Sequence, residues 1–319
     1  MQGVYTIFRK EVGDHFTSYR FIILFALILM VSLILVYMSG MSLKESLEGG
    51  VKPKFVFLLL FTSSGSLFSM AQFVAFFGPL IGLLLGFDAI NRERTSGTLS
   101  KIVSQPIYRD SIINGKFLAG VFTISIMLIS IVLLVSGLGL LLIGVVPGIE
   151  EILRIIIYLI ISIFYISFWL GVAILFSVLF RSVATSALAA LALWIFFSFF
   201  VSLGANVLAN AVAPIEKDRA TVEMIEKHVK IQRAISLFSP MVLYRDATTT
   251  IIDPTRRTTK SLLFITPMEK LSLERFKSPL SLLQSLLVVI PQVTILIAIT
   301  LICFGITYTV FMLQEIRSM

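Results

Sequence analysis

Gly115-Lys116 is the dipeptide that comes nearest to nucleotide chemistry in this chain. A phosphate-binding loop needs Gly-x-x-x-x-Gly-Lys followed by Ser or Thr, so that backbone amides cradle the phosphates and a hydroxyl reaches magnesium. Here the upstream glycine position holds Asp110 and the following residue is Phe117, so that chemistry fails. No His-Glu-x-x-His motif occurs, and the two histidines, His15 and His228, stand far apart. His15, beside Asp14, reads as an interfacial residue, and His228 as part of the polar face of a helix. No catalytic residue, metal ligand or bound cofactor is expected, and the chain reads as a non-catalytic subunit.

What the chain does offer is a charged segment, NRERTSGTLSKIVSQPIYRDSIINGK over residues 91–116, set between two long apolar runs. It carries Arg92, Arg94, Lys101, Arg109 and Lys116. Leu99, Ile102 and Val103 fall at i, i+3 and i+4, which predicts a short amphipathic helix. Thr95 or Ser96 could cap its start, and Pro106 ends it by biasing Gln105 away from the helical region. Asp110 or Ser111 could cap a second helix that continues into the next apolar run, with Lys116 at the interface. Such a compact helix is shaped to fit a partner's cleft. The plainer alternative is a solvated loop whose charges only set topology.

The elements that position this segment follow from composition. The 319 residues are 57% hydrophobic and 14% charged, whereas soluble domains carry about 25% charged residues. Lipid must therefore be the solvent for most of the chain. The net charge of +8 reads as basic loops flanking a membrane rather than as a nucleic-acid surface. The single cysteine, Cys303, lies in an apolar run and permits no internal disulfide. A mixed polar stretch of about twenty residues before the first apolar run argues against a cleavable signal.

Apolar runs of about 20 residues mark spans. They are Phe21–Met38, about Leu67–Phe87, Phe117–Val145, Ile155–Phe180, Val183 to about Leu208, and about Leu282–Leu313. The cluster TSSGS, residues 62–66, should break the long run that precedes the second span. With the N-terminus inside, the inner segments hold ten basic residues (Arg9, Lys10, Arg20, Arg92, Arg94, Lys101, Arg109, Lys116, Arg181 and Arg317). The short outer loops hold four, Lys44, Lys52, Lys54 and Arg154. That bias puts both termini in the cytoplasm. The expected organisation is an interfacial amphipathic helix at 1–20, spans one to five at 21–208 with the inner loop 88–116, an extracytoplasmic segment at 209–281, and the sixth span and tail at 282–319.

In the N-terminal piece Tyr5, Phe8, Val12, Phe16 and Tyr19 repeat every three or four residues, which suits a helix in the headgroup plane. The alternative is an extension of the first span. The segment 209–281 carries 12 Lys or Arg and 8 Asp or Glu. Val212, Ile215, Val222, Ile225, Val229 and Ile235 fit one helical face there, so an outer cap of one amphipathic helix and short pieces is expected. Gly78, Gly82 and Gly86 share a face of the second span and allow close approach of another backbone, either as a moving seam or as static packing. Pro79 and Pro291 add potential kinks. No ionisable residue lies near the centre of a span, which disfavours an ion-coupled pump.

The stretch FDAINRERTSGTLSKIVSQPIYRDSIINGKFLAG, residues 87–120, resembles the signature of type-2 ABC transporter permeases, through Arg92-Glu93, Gly97-Thr98-Leu99, Pro106, Arg109 and Gly115-Lys116. SPMVLYRDAT, residues 239–248, is similar to the segment before the last span in the subgroup that includes the permease of the nitrous-oxide reductase copper-site maturation system. The resemblance implies an all-α, polytopic type-2 ABC exporter fold of six transmembrane helices, with a small extracytoplasmic helical segment between helices five and six. It implies a permease subunit in the cell membrane that pairs with a second, identical permease. Two cytosolic ATPase subunits, which hold the ATP and magnesium, would dock below. Residues 95–105 would be the coupling helix, with Arg92, Glu93, Arg94, Gly97, Thr98, Leu99, Lys101, Ile102, Pro106 and Arg109 as docking residues. Glu93, Arg94, Lys101 and Arg109 are the candidates for charge-assisted contacts with the ATPase. The long segment at 209–281 departs from the smallest family members and could gate a pathway or bind an extracytoplasmic protein.

Overall fold

A computed structural model of the chain describes residues 2–48, 55–62, 69–98, 108–214, 222–254 and 279–314. Helices make up nearly all of these residues, and no strand occurs among them. Six helical stretches are long and apolar enough to cross a membrane. A helix α1 (Gln2–Thr17) precedes the first span, α2 (Tyr19–Glu48). A one-turn helix α3 (Leu59–Thr62) leads to the second span, α4 (Met70–Gly86), which a turn joins to the short α5 (Asn91–Thr95). The third and fourth spans are α6 (Arg109–Ile143) and α7 (Ile149–Leu179). The fifth comprises α8 (Val183–Ile195), a π-turn at Phe196–Phe200, and α9 (Val201–Val212). Then come α10 (Val222–Ser236), α11 (Pro240–Ile252) and the last span, α12 (Leu282–Leu313).

The spans sit where the apolar runs predict, but most are longer. At 30 to 35 residues and 1.5 Å per residue they reach about 45–50 Å, against a hydrocarbon layer of about 30 Å. Hydropathy sees only the apolar part of a helix, whereas backbone hydrogen bonding continues into polar residues at both ends. The second span is the exception. Thr62 closes α3, residues 63–68 lie outside the described ones, and α4 starts at Met70. Ser69 caps it: its hydroxyl accepts from the Gln72 amide at 3.2 Å, and the Gln72 side chain accepts from the Ser69 amide at 3.0 Å.

The bundle is organised around α7, which packs against α4, α6, α8, α11 and α12. Lipid tails give helices no hydrophobic reason to associate with each other, so close packing and interhelical hydrogen bonds must hold them. The Gly78–Gly82–Gly86 row supplies the first. A Cβ on Gly82 would lie 2.5 Å from the Ile166 carbonyl oxygen and 2.8 Å from the Leu170 amide nitrogen, so backbone meets backbone there. Aromatic residues supply the second. The Tyr165 hydroxyl donates to the Ala75 carbonyl at 2.7 Å, and its ring stacks on Tyr244 of α11 at 4.3 Å. The Tyr244 hydroxyl is 2.7 Å from the Ser162 hydroxyl.

The segment between the fifth and sixth spans differs from a surface cap. α10 folds back along α9: His228 Nδ1 lies 2.8 Å from the Ala213 carbonyl, and Gln232 donates to Asn206. At the turn into α11, the Ser239 hydroxyl donates 2.8 Å to the Phe197 carbonyl inside the π-turn, where the helical hydrogen-bond ladder is locally interrupted. α11 then packs between α12, α7 and α4, with Leu243, Tyr244, Ala247, Ile251 and Ile252 buried. The pattern in its sequence is that of a buried helix because its short polar residues, Thr248 and Thr250, bond back to its own carbonyls. Arg154 of α7, fully buried, fixes the far end. It donates to the carbonyls of Ile251 (2.8 Å) and Leu280 (2.7 Å), to the Ser285 hydroxyl (3.1 Å), and pairs with Glu150 at 2.8 Å.

Candidate functional site: the charged loop and its anchors

The charged stretch 91–116 divides into three parts. α5 carries its first residues as a continuation of the second span. Residues 99–107 lie outside the described ones, and with them Leu99, Lys101, Ile102 and Pro106. Arg109 onward forms the first turn of α6.

Thr95 and Ser96 lie at the end of α5, and their hydroxyls bond back to the carbonyls of Asn91 and Glu93; the helix that they are expected to cap lies outside the described residues. Gly97 follows with φ of +68°, a left-handed conformation that glycine adopts without steric cost. The Thr98 hydroxyl lies 2.8 Å from that of Ser96. At the other end α6 begins at Arg109, one residue before the expected caps, with extended Tyr108 ahead of it. Asp110 still serves the first turn, its carboxylate accepting from the Ser111 amide at 2.7 Å.

The charges of the signature face two ways. Arg92, Thr95, Ser96, Gly97 and Thr98 are exposed. Glu93 turns inward, buried, with Oε1 3.0 Å from the Lys116 ammonium, itself buried. Lys116 also reaches Glu11 of α1 at 2.8 Å, and Lys10 bridges Glu11 at 3.1 Å and Glu93 at 3.4 Å. Two cations and two anions thus share a pocket between α1, α5 and α6. Gly115 makes it possible: a Cβ there would stand 2.8 Å from Ile7, so its absence lets α1 lie against α6 close enough for Glu11 to meet Lys116. Burial alone would raise the Glu11 carboxyl, but Lys116 and Lys10 outweigh it and hold the group below its ordinary range. Burial likewise opposes the Lys10 charge, yet Glu11, Glu93 and Asp14 hold that ammonium above its ordinary value.

The remaining polar groups anchor the loop to the spans. The Arg94 guanidinium donates to the Gln314 side chain at 2.7 Å, and Arg109 to the Gln314 carbonyl at 2.8 Å. Both therefore sit at the carbonyl end of α12, where cations are favoured. The Ser177 hydroxyl of α7 accepts from the Ile90 and Asn91 amides at 2.9 and 3.1 Å, and the Asn91 side chain donates to the Ser182 carbonyl. Arg20 of α2 pairs with Asp88 at 3.0 Å.

The structure therefore brings Glu93, Arg94 and Arg109 into intramolecular bonds and leaves Arg92, Gly97 and Thr98 on the surface. The glycine row Gly78–Gly82–Gly86 is a seam with α7 of the same chain. Glu11, Asn91, Ser177 and Gln314 escaped the sequence reading. One signal was present for Glu11. It interrupts the stripe Val4–Ile7–Phe8–Glu11–His15 that packs on α6, and a carboxylate in a packing stripe needs a cation. The aromatic row Tyr5, Phe16 and Tyr19 is offset from that stripe and stays exposed, while Phe8 packs edge-on against Phe122 at 5.4 Å.

Comparison with known proteins fits this arrangement. A "Probable ABC transporter permease protein NosY" from Stutzerimonas stutzeri is 31% identical over 118 residues, which is 37% of this chain and 38% of that protein. The match thus spans well under half the length of that relative. The family of ABC-2 family transporter proteins matches over residues 5–316, nearly the whole length, and the chain, with six helices long and apolar enough to cross a membrane, belongs to that family.

Proposed function

We propose that this chain is the permease subunit of an ATP-driven exporter, with its charged loop as the seat of a cytosolic ATPase. The observation that carries the reading is the division of labour in residues 91–116. Inward-facing charges bond the loop to α1, α6 and the end of α12, and the Asn91 amide bonds it to α7, while Arg92, Thr95, Ser96, Gly97 and Thr98 stay exposed around a glycine-permitted turn. A surface held by several spans at once can pass an applied displacement to all of them, as a free loop cannot. In this reading the loop and both termini lie in the cytoplasm, two copies of the chain pair in the cell membrane, and each binds one ATPase subunit. ATP and magnesium belong to that partner. The NosY-like relative, itself named as an ABC permease, supports the class.

The experiment is purification from mild detergent. A co-purifying protein with a phosphate-binding loop, whose ATP hydrolysis drops when Gly97 is replaced by a bulky residue, is the expected result. A chain that purifies without any ATPase from membranes expressing its neighbouring genes contradicts the reading.

A second reading is mechanotransmission, in which ATPase motion works an extracytoplasmic partner with no substrate crossing. The exposed polar side of α10, with Glu226, Lys227 and Lys230, favours it. Because α11 is built into the bundle, deleting the whole segment would unfold the protein. Alanine substitutions confined to Lys227 and Lys230 are the fair test. Loss of the partner's function with ATP hydrolysis intact selects mechanotransmission, and unchanged partner function rejects it.

A further inference from the structure

We propose that Glu93 and Lys116 are positioning residues that make α1 move with the ATPase-facing loop, so that α1 is a working part of the drive rather than a passive anchor. The proposal rests on the docking reading of the loop and deepens it. α5 is held on one side by hydrogen bonds to Ser177 of α7, to the carbonyl of Ser182, which caps α8, and, from the Arg94 guanidinium, to Gln314 just past α12. On its other side Glu93 joins it to Lys116 of α6 and Lys10 of α1. The two kinds of attachment differ in what separation costs. The side-chain bonds of Asn91 and Arg94 are only partly buried, so water can replace their partners as the loop shifts. Drawing Glu93 out of its pocket breaks two ion pairs at once and leaves Lys116, with a side chain 4% exposed, and Lys10 to share the carboxylate of Glu11, an excess of positive charge that a buried site disfavours. A displaced loop therefore keeps Glu93 in place and takes Lys116, Glu11 and α1 along, while the partly buried bonds to the Ser182 carbonyl and Gln314 are the ones that give. The second carboxylate oxygen of Glu93 is buried and without a hydrogen-bond partner among the described residues. The carboxylate is thus held by its cations on one side only. α1 in turn leads directly into α2 through Ser18, whose amide bonds to the His15 carbonyl, so motion of α1 reaches the first span.

The test uses the complex purified with its ATPase, in a Cys303→Ser background. Spin labels are placed at Arg9→Cys and Thr95→Cys, and in a second sample at Arg9→Cys and Val207→Cys. The Arg9–Thr95 separation should be the same in nucleotide-free and ATP-trapped states, while the Arg9–Val207 separation shifts. Lys116→Met should broaden the Arg9–Thr95 distribution and make it change with nucleotide, with the ATPase still bound, and Lys116→Arg should restore the narrow distribution. Should Lys116→Met fail to assemble, Glu93→Gln, which keeps the shape and removes the charge, should broaden the same distribution. A merely stabilising role would lower thermal stability without making that distance respond to nucleotide. With the ATPase bound, an Arg9–Thr95 distance that changes with nucleotide in the parent protein overturns this proposal alone, as does an unchanged distribution in Lys116→Met or Glu93→Gln. Absence of any ATPase from the parent preparation overturns the docking reading and this one together.

Discussion

Arg109, the first residue of α6, donates to the backbone carbonyl of Gln314, just past the end of α12, over 2.8 Å, while Arg94 holds the same residue's side chain at 2.7 Å. Two arginines of the signature loop, one from each side of residues 99–107, thus meet on one glutamine at the end of the last span. Gln314 in turn donates 3.2 Å to the Val178 carbonyl of α7. Replacing Gln314 with Ala removes a charged hydrogen bond worth about 1.5 kcal/mol. Amides of residues 91–98 should then exchange with deuterium about tenfold faster, with α6 and α7 unchanged. Equal exchange in both proteins would show that Gln314 does not hold the loop.

The glycine seam makes a graded prediction. Gly82→Ala brings a Cβ against backbone atoms of α7, and Gly86→Ala meets the Leu170 carbonyl at 2.9 Å, whereas Gly78→Ala meets only the Ile166 side chain at 3.1 Å. Main chain cannot swing aside as a side chain can, and overpacking costs about 1–3 kcal/mol. Thermal unfolding in detergent should rank Gly82→Ala and Gly86→Ala well below Gly78→Ala, with Gly137→Ala, which meets nothing within 4 Å, near the parent.

Arg154 should be irreplaceable by Lys. Its guanidinium satisfies four partners in different directions, a geometry that an ammonium does not reproduce. Arg154→Met should destabilise by about 3 kcal/mol or more, and Arg154→Lys by a substantial part of that. Protease cutting between α11 and α12 should rise in both. A Lys variant as stable as the parent would refute the argument.

The six spans were readable from the sequence because each rests on a local pattern, apolar length, while the helix expected from Leu99, Ile102 and Val103 lies outside the described residues. The positive-inside count treated Arg154 as a loop charge, whereas it is buried within α7, since a tally of basic residues cannot see carbonyl partners 97 and 126 residues away. For the same reason α11 read as part of a surface cap. Its burial depends on Tyr244 finding Tyr165 and Ser162, a long-range pairing that no periodicity reports. Glu93 read as a docking charge because its partners Glu11, Lys10 and Lys116 lie on elements that only the fold brings together.

The packing of α1 should weaken in acid in two stages. His15 is held below its ordinary value of 6.5, chiefly by burial, with Lys116 assisting and Glu11, Asp88 and Asp14 opposing. The packed helix therefore favours the neutral ring. That contribution is present above pH 6.5 and is lost as pH falls through the lower folded value. Glu11, depressed from 4.5, contributes above that pH, and its share is lost only as pH falls further. Hydrogen exchange of α1 relative to α6 should rise between pH 7.5 and pH 5.5 in the parent, and His15→Gln should flatten the change. A parent protein with no rise over that interval would contradict the assignment to His15.

The central claim is that the exposed turn of the charged loop meets an ATPase on the cytoplasmic side. A photo-crosslinking amino acid at Thr98, activated in intact membranes, tests it most directly. The account predicts a crosslinked product that contains a cytosolic protein with a phosphate-binding loop. Labelling of Thr98→Cys by a membrane-impermeant reagent added from outside the cell, or a crosslinker at Thr98 that captures nothing in an assembled complex, would contradict it.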